Sequence, residues 1–119
     1  MSDFVEGKII VKSAVIAKNT SLSGAVDIGG CKYLGISMPA AWDAASLTFQ
    51  VSHDGTTYQN LYNDSGVEVS VTAAASRNIA LDVVALDLAP WQYVKIRSGT
   101  AASAVNQTAA RTLTVVGKG

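Results

Sequence analysis

Between Leu47 and Tyr62 the chain reads LTFQVSHDGTTYQNLY, and this stretch limits the fold more than any other. Leu47, Phe49 and Val51 alternate with Thr48, Gln50 and Ser52, the two-residue period of a half-buried strand. His53-Asp54-Gly55-Thr56 then supplies turn chemistry: an aspartate bonds its own backbone, and a glycine accepts positive φ. Thr57 to Tyr62 reads as the returning strand of a hairpin.

The remaining segments repeat that theme. Lys8–Ala17 places Ile9, Val11 and Val15 on one face and Ile10, Ala14 and Ile16 on the other. Apolarity on both faces marks a strand covered on both sides, or an arm lying on a neighbouring subunit. Weaker strands are expected at Leu22–Ile28 and Lys32–Met38, and others at Val67–Thr72, Asn78–Asp82, Trp91–Ser98 and Thr112–Val116. Gly29-Gly30, Pro39 and Asn63-Asp64-Ser65-Gly66 punctuate them. Pro39–Ala45 has helical propensity for a single turn, with Trp42 capping one end of the core, and Val83–Pro90 could hold another turn. Gly99–Ala110 reads as a long featureless loop. About eight short antiparallel strands with almost no helix imply an all-β single domain over 1–119, a β-sandwich or jelly roll. Residues 1–7 read as a flexible N-terminal arm and 117–119 as a flexible tail.

Composition narrows the function classes. At 49% hydrophobic and 15% charged the chain is too apolar for disorder, and 119 residues suffice for one core. Eighteen alanines and fourteen valines suit thin, closely packed sheets or surfaces that meet other protein. Nine basic residues balance nine acidic ones, which argues against a nucleic-acid partner. One cysteine, Cys31, excludes an internal disulfide and a cysteine-based zinc cluster; it reads as a small buried hydrophobe. No signal-like start and no apolar run of about 20 residues is seen, so synthesis in a cytoplasm and no membrane partner are expected.

Reactive constellations are sparse. His53, beside Asp54 at a strand end, reads as an exposed turn residue ahead of a pH-sensing or catalytic one. Asp54, Asp64, Asp82 and Asp87 match no compact calcium loop and read as solvated turn residues. Nucleophile elbows, phosphate-binding glycine loops and His-Glu metal spacings are missing, so no catalytic, cofactor-binding or metal residue is assigned and no enzyme is expected. Tyr58 and Tyr62, four apart, and Trp91 and Tyr93, two apart, could form a glycan platform, with core filling as the other reading. Arg77, Arg97 and Arg111 read as surface or inter-subunit salt bridges ahead of an anion clamp.

Two resemblances bear on function. Val51-Ser52-His53-Asp54-Gly55-Thr56-Thr57-Tyr58, followed by Trp91-Gln92-Tyr93-Val94-Lys95-Ile96-Arg97 and Arg111-Thr112-Leu113-Thr114-Val115, resembles the discoidin or galactose-binding-like jelly roll. That likeness implies a fold; nothing here matches the family's ligand-binding loops, and its paired cysteines are absent. Leu22–Gly30, Gly35–Trp42 and Val71–Arg77 resemble small proteins found among the virion genes of tailed bacteriophages. This second likeness implies a structural component of the virion that decorates the capsid or forms a head fibre. Its expected partners are the major capsid protein and copies of itself in a homo-oligomer. The first strand, through Ile9, Ile10, Val11, Val15 and Ile16, is the candidate contact. The alternatives are a glycan-binding adhesion module on the virion surface, using Tyr58, Tyr62, Trp91 and Tyr93 on host or surface glycans, and a tail or baseplate component.

Overall fold

Nine strands carry the fold in a computed structural model that describes residues 7–84 and 86–119. In chain order they are β1 (Ile9–Ile16), β2 (Val26–Asp27), β3 (Tyr33–Ser37), β4 (Leu47–Ser52) and β5 (Gln59–Asn60). The series continues with β6 (Ser70–Val71), β7 (Asn78–Leu81), β8 (Tyr93–Ser98) and β9 (Arg111–Lys118). Every pairing is antiparallel. One sheet has the order β1-β9-β3-β7; the other has β2-β8-β4-β5, with β6 sharing the far side of β4. From β1 to β2, β2 to β3 and β3 to β4 the chain changes sheet each time, and it does so again from β6 through to β9. That interleaving of early and late strands in two facing sheets is the jelly-roll form of the β-sandwich.

The core lies between the sheets. Ala14, Ile16, Leu34, Ile36, Leu81, Leu113 and Val115 come from the first; Val26, Leu47, Phe49, Val51, Val94 and Ile96 come from the second. Phe49, at 1% exposure, is the largest fully buried side chain, and its truncation to Ala costs about 3–5 kcal/mol. Trp42 packs at the margin of this core and donates its Nε1–H to Ala45 O at 3.2 Å.

The opening hairpin forms as its side chains dictate. Ser52 Oγ accepts from the Gly55 amide at 2.9 Å and donates to Asp54 Oδ1 at 2.8 Å. The same carboxylate oxygen accepts from the Thr56 amide at 2.8 Å and the Thr57 amide at 3.0 Å. Gly55 takes φ 77°, and its missing side chain leaves room for the Tyr93 ring, which a Cβ would approach to 3.1 Å.

Three expectations need correcting, and a fourth falls mostly outside the described residues. Pro39–Ala45 forms no helical turn, because the Asp43 amide donates to the Gln107 side chain at 2.8 Å and a long-range contact overrides local propensity. Val67–Thr72 is a strand only at Ser70–Val71: the chain swings off β4 after Leu61, pairs Tyr62 with Glu68, and rejoins β4 at Ser70. Gly117 and Lys118 pair within β9, and Gly119 accepts from the Gly7 amide at 2.8 Å, so the end of the chain is fastened. Of the expected arm, residues 1–6 lie outside the described residues, and Gly7 is held by that bond.

Candidate functional site

Register decides what each sheet shows to solvent. On the first sheet Val11, Val116, Gly35 and Ala80 stand side by side across four strands, all pointing outward. The neighbouring row holds Ile9, Lys118 and Tyr33, and the row beyond holds Ser13, Thr114, Ser37 and Asn78. Ile9 and Val11 are each 62% exposed, Tyr33 64%, Val15 46% and Val116 36%. With no side chain at Gly35, the middle of this face sinks into a shallow hollow of about 550 Å³ walled by Val11, Ile79, Ala80 and Val116. The alternation expected along the first strand is present, but Ile16 is wholly buried in the core and is no contact residue. Ile10 is half-buried on the same inward face.

The outer face of the second sheet is closed by polar side chains. Arg97, 6% exposed, donates to Glu68 at 3.2 Å, to Thr48 Oγ1 at 3.4 Å and to Asn60 Oδ1. Glu68 also accepts from the Ala101 amide at 3.1 Å, and Thr48 Oγ1 donates to Gly99 O at 2.7 Å. The arginine is therefore an internal tie, neither a surface nor an inter-subunit bridge. Arg111 is internal too, 3.1 Å from Asp43.

Asp43 further accepts from the amide and hydroxyl of Thr108, and these bonds, ahead of Arg111, hold its carboxyl below the usual range. Gln107, fully buried, accepts from the Asp43 amide and donates to Ser98 Oγ at 2.7 Å and Asp43 O at 3.0 Å. Gly99–Ala110 is thus a fastened segment. No pattern in the sequence distinguishes Gln107 from any other loop amide.

The four aromatic residues do not form one platform. Tyr58 and Tyr93 lie on the outer face of the second sheet: Lys95 Nζ sits 4.3 Å from the Tyr58 ring centre, and Tyr93 leans on Gly55. Burial first, then the neighbouring Tyr93 and Asp54 charges, raise the Tyr58 hydroxyl above its ordinary pKa. Trp91 and Tyr62 instead border an open depression of about 380 Å³. Val51, Ser52, His53, Thr57, Gln59, Asn60 and Leu61 complete its lining. The four-residue spacing misled because β5 ends at Asn60, so strand parity does not carry through to Tyr62.

Two of the turn aspartates, Asp54 and Asp82, bind their own backbone. Asp54 is held well below the ordinary carboxylate range by the Thr57 and Thr56 amides and then Ser52. Asp82 accepts from the Val84 amide at 3.0 Å. Among the described residues no three His, Cys, Asp or Glu side chains gather as metal ligands would. Cys31 is half-buried against the core, donates to Tyr33 O at 2.8 Å, and has its thiol pKa raised by burial.

No protein-family model and no curated protein matches this chain. Among solved structures it is similar to the SPBc2 prophage-derived protein YomS, at TM-score 0.56 and 14% identity over 97% of this chain and 98% of that one. A disulfide-linked pilus protein of Bacillus endospore appendages aligns at TM-score 0.38, with 15% identity over 99% of this chain and 96% of that one. The second likeness is too low to carry an argument. The first establishes a shared fold across essentially the whole of both chains. It does not point to a discoidin-like fold.

Proposed function

We propose that the protein is a non-enzymatic structural component of a tailed-phage particle, decorating or cementing the assembled capsid. The observation that carries this reading is the apolar row Val11, Val116, Gly35 and Ala80, flanked by Ile9 and Tyr33, on the outside of a regular sheet. Exposed apolar residues grouped on a rigid surface mark a site of protein contact. The zero net charge leaves little long-range electrostatic attraction, so apolar contact is the natural source of affinity. The likeness of fold to a prophage-derived protein supports the same reading by analogy.

In this reading the outer face of the first sheet lies on the shell built by the major capsid protein, and further copies occupy its symmetric positions. A place in the tail or baseplate would use the same face and differ only in address.

The test is made on purified particles. Mass spectrometry finds the chain present in many copies, and the surface variant Val11→Lys folds as the parent does but is missing from particles. Particles that never contain the protein, or that take up Val11→Lys as readily as the parent, end this reading.

A further inference from the structure

We infer that the depression between Trp91 and Tyr62 is a binding site for a neutral pyranose residue of a glycan. Its size, about 380 Å³, falls within the range of small-molecule sites and suits one or two sugar rings. Its lining combines the two things a sugar needs. Trp91 and Tyr62 offer aromatic surface to the C–H face of a pyranose, while Val51 and Leu61 add apolar wall. His53, Thr57 and Gln59 bring donors and acceptors for ring hydroxyls.

Those three polar side chains are exposed and make no hydrogen bond with another described residue, so their capacity is unspent. The backbone that carries two of them is fixed in advance. Ser52 and Asp54 lock the turn from His53 to Thr57 through the Gly55, Thr56 and Thr57 amides. A loop ordered before binding loses little entropy when the ligand arrives.

The charge pattern selects a neutral sugar. No Lys, Arg, Asp or Glu lines the depression. The nearby cations are already engaged, Arg97 with Glu68 and Asn60, and Lys95 over Tyr58. A carboxylate sugar would give up water and find no partner.

This site is independent of any place in a particle, since it uses the second sheet and not the outer face of the first. The experiment follows amide and indole resonances of the full chain on addition of neutral glucose-, galactose- and N-acetylglucosamine-based oligosaccharides, with a sialylated oligosaccharide as the charged probe. The expected result is shifts at Gln59, Tyr62 and the Trp91 indole with at least one neutral sugar. Tyr62→Ala and Gln59→Ala, both exposed positions, weaken that binding about three- to tenfold, while Tyr58→Ala leaves it unchanged. Three results overturn the inference: no shift with any sugar up to about 20 mM, preference for the sialylated probe, or binding that survives Tyr62→Ala and disappears with Tyr58→Ala.

Discussion

The two sheets of this sandwich turn opposite kinds of surface to solvent. The first presents Ile9, Val11, Val116 and Tyr33 around the flat spot at Gly35, with nothing laid over them among the described residues. The second presents Thr48, Gln50 and Arg97, and then ties Arg97 to the Tyr62–Glu68 excursion and Thr48 to the Gly99–Ala104 loop. Polar groups on the second face satisfy one another; among the described residues no buried side-chain nitrogen or oxygen lacks a hydrogen-bond partner. The difference teaches where stability and recognition reside. The second face is finished within the chain, whereas the first face is completed by another molecule in the reading proposed above.

Breaking the finished face has the largest effect. Arg97→Met removes the cation and leaves Glu68, at 17% side-chain exposure, without its charged partner and with only the Ala101 amide, so stability falls by about 3 kcal/mol in urea titration. By contrast Val11→Lys on the first face changes stability by no more than about 0.5 kcal/mol in the same assay. Equal losses for the two variants would erase the distinction between the faces. Next comes Gln107→Ala, which strips partners from the Asp43 amide and Ser98 Oγ and loosens the Arg111 contact. A loss of about 2 kcal/mol is expected, with faster hydrogen exchange along Gly99–Ala110 as the accompanying sign.

The smallest effect is a pH dependence. The Asp54 carboxyl is depressed in the folded protein below the ordinary Asp value of about 3.9. Its contribution is therefore complete above about pH 5 and is lost as pH falls through 3.9 toward the folded value, where the native state must take up the proton too. Melting temperature measured from pH 6 downward should drop less steeply in Asp54→Asn than in the parent. Asp43 is depressed by Thr108 in the same direction, so some slope persists in that variant.

Much of the architecture was legible residue by residue. The Leu47–Ser52 alternation, the Ser52-His53-Asp54-Gly55 turn and the two faces of β1 are local features, governed by side-chain period and by bonds spanning two or three residues. The aromatic platform was misjudged where a strand ended unseen: β5 stops at Asn60, and the parity linking Tyr58 to Tyr62 stops with it. Arg97 was placed correctly in a strand, but its neighbours Glu68 and Asn60 lie 29 and 37 residues away, and no periodicity reports them. Gln107 fastens to Asp43 across 64 residues, which is why its loop looked featureless and its partner segment looked helical.

By itself, then, the sequence determined the all-β class, the position of most strands, and which side chains of each strand share a face, because those follow from alternation and turn chemistry within a few residues. Only the tertiary structure decided what each face meets. It laid β9 between β1 and β3, brought a distant excursion over Arg97, left Val11 and Val116 uncovered, and set Trp91 beside Tyr62. The reason is physical: the pleat fixes a side chain's direction from its own backbone, whereas its cover depends on strand order and loop packing, which the chain settles only by closing the whole core at once.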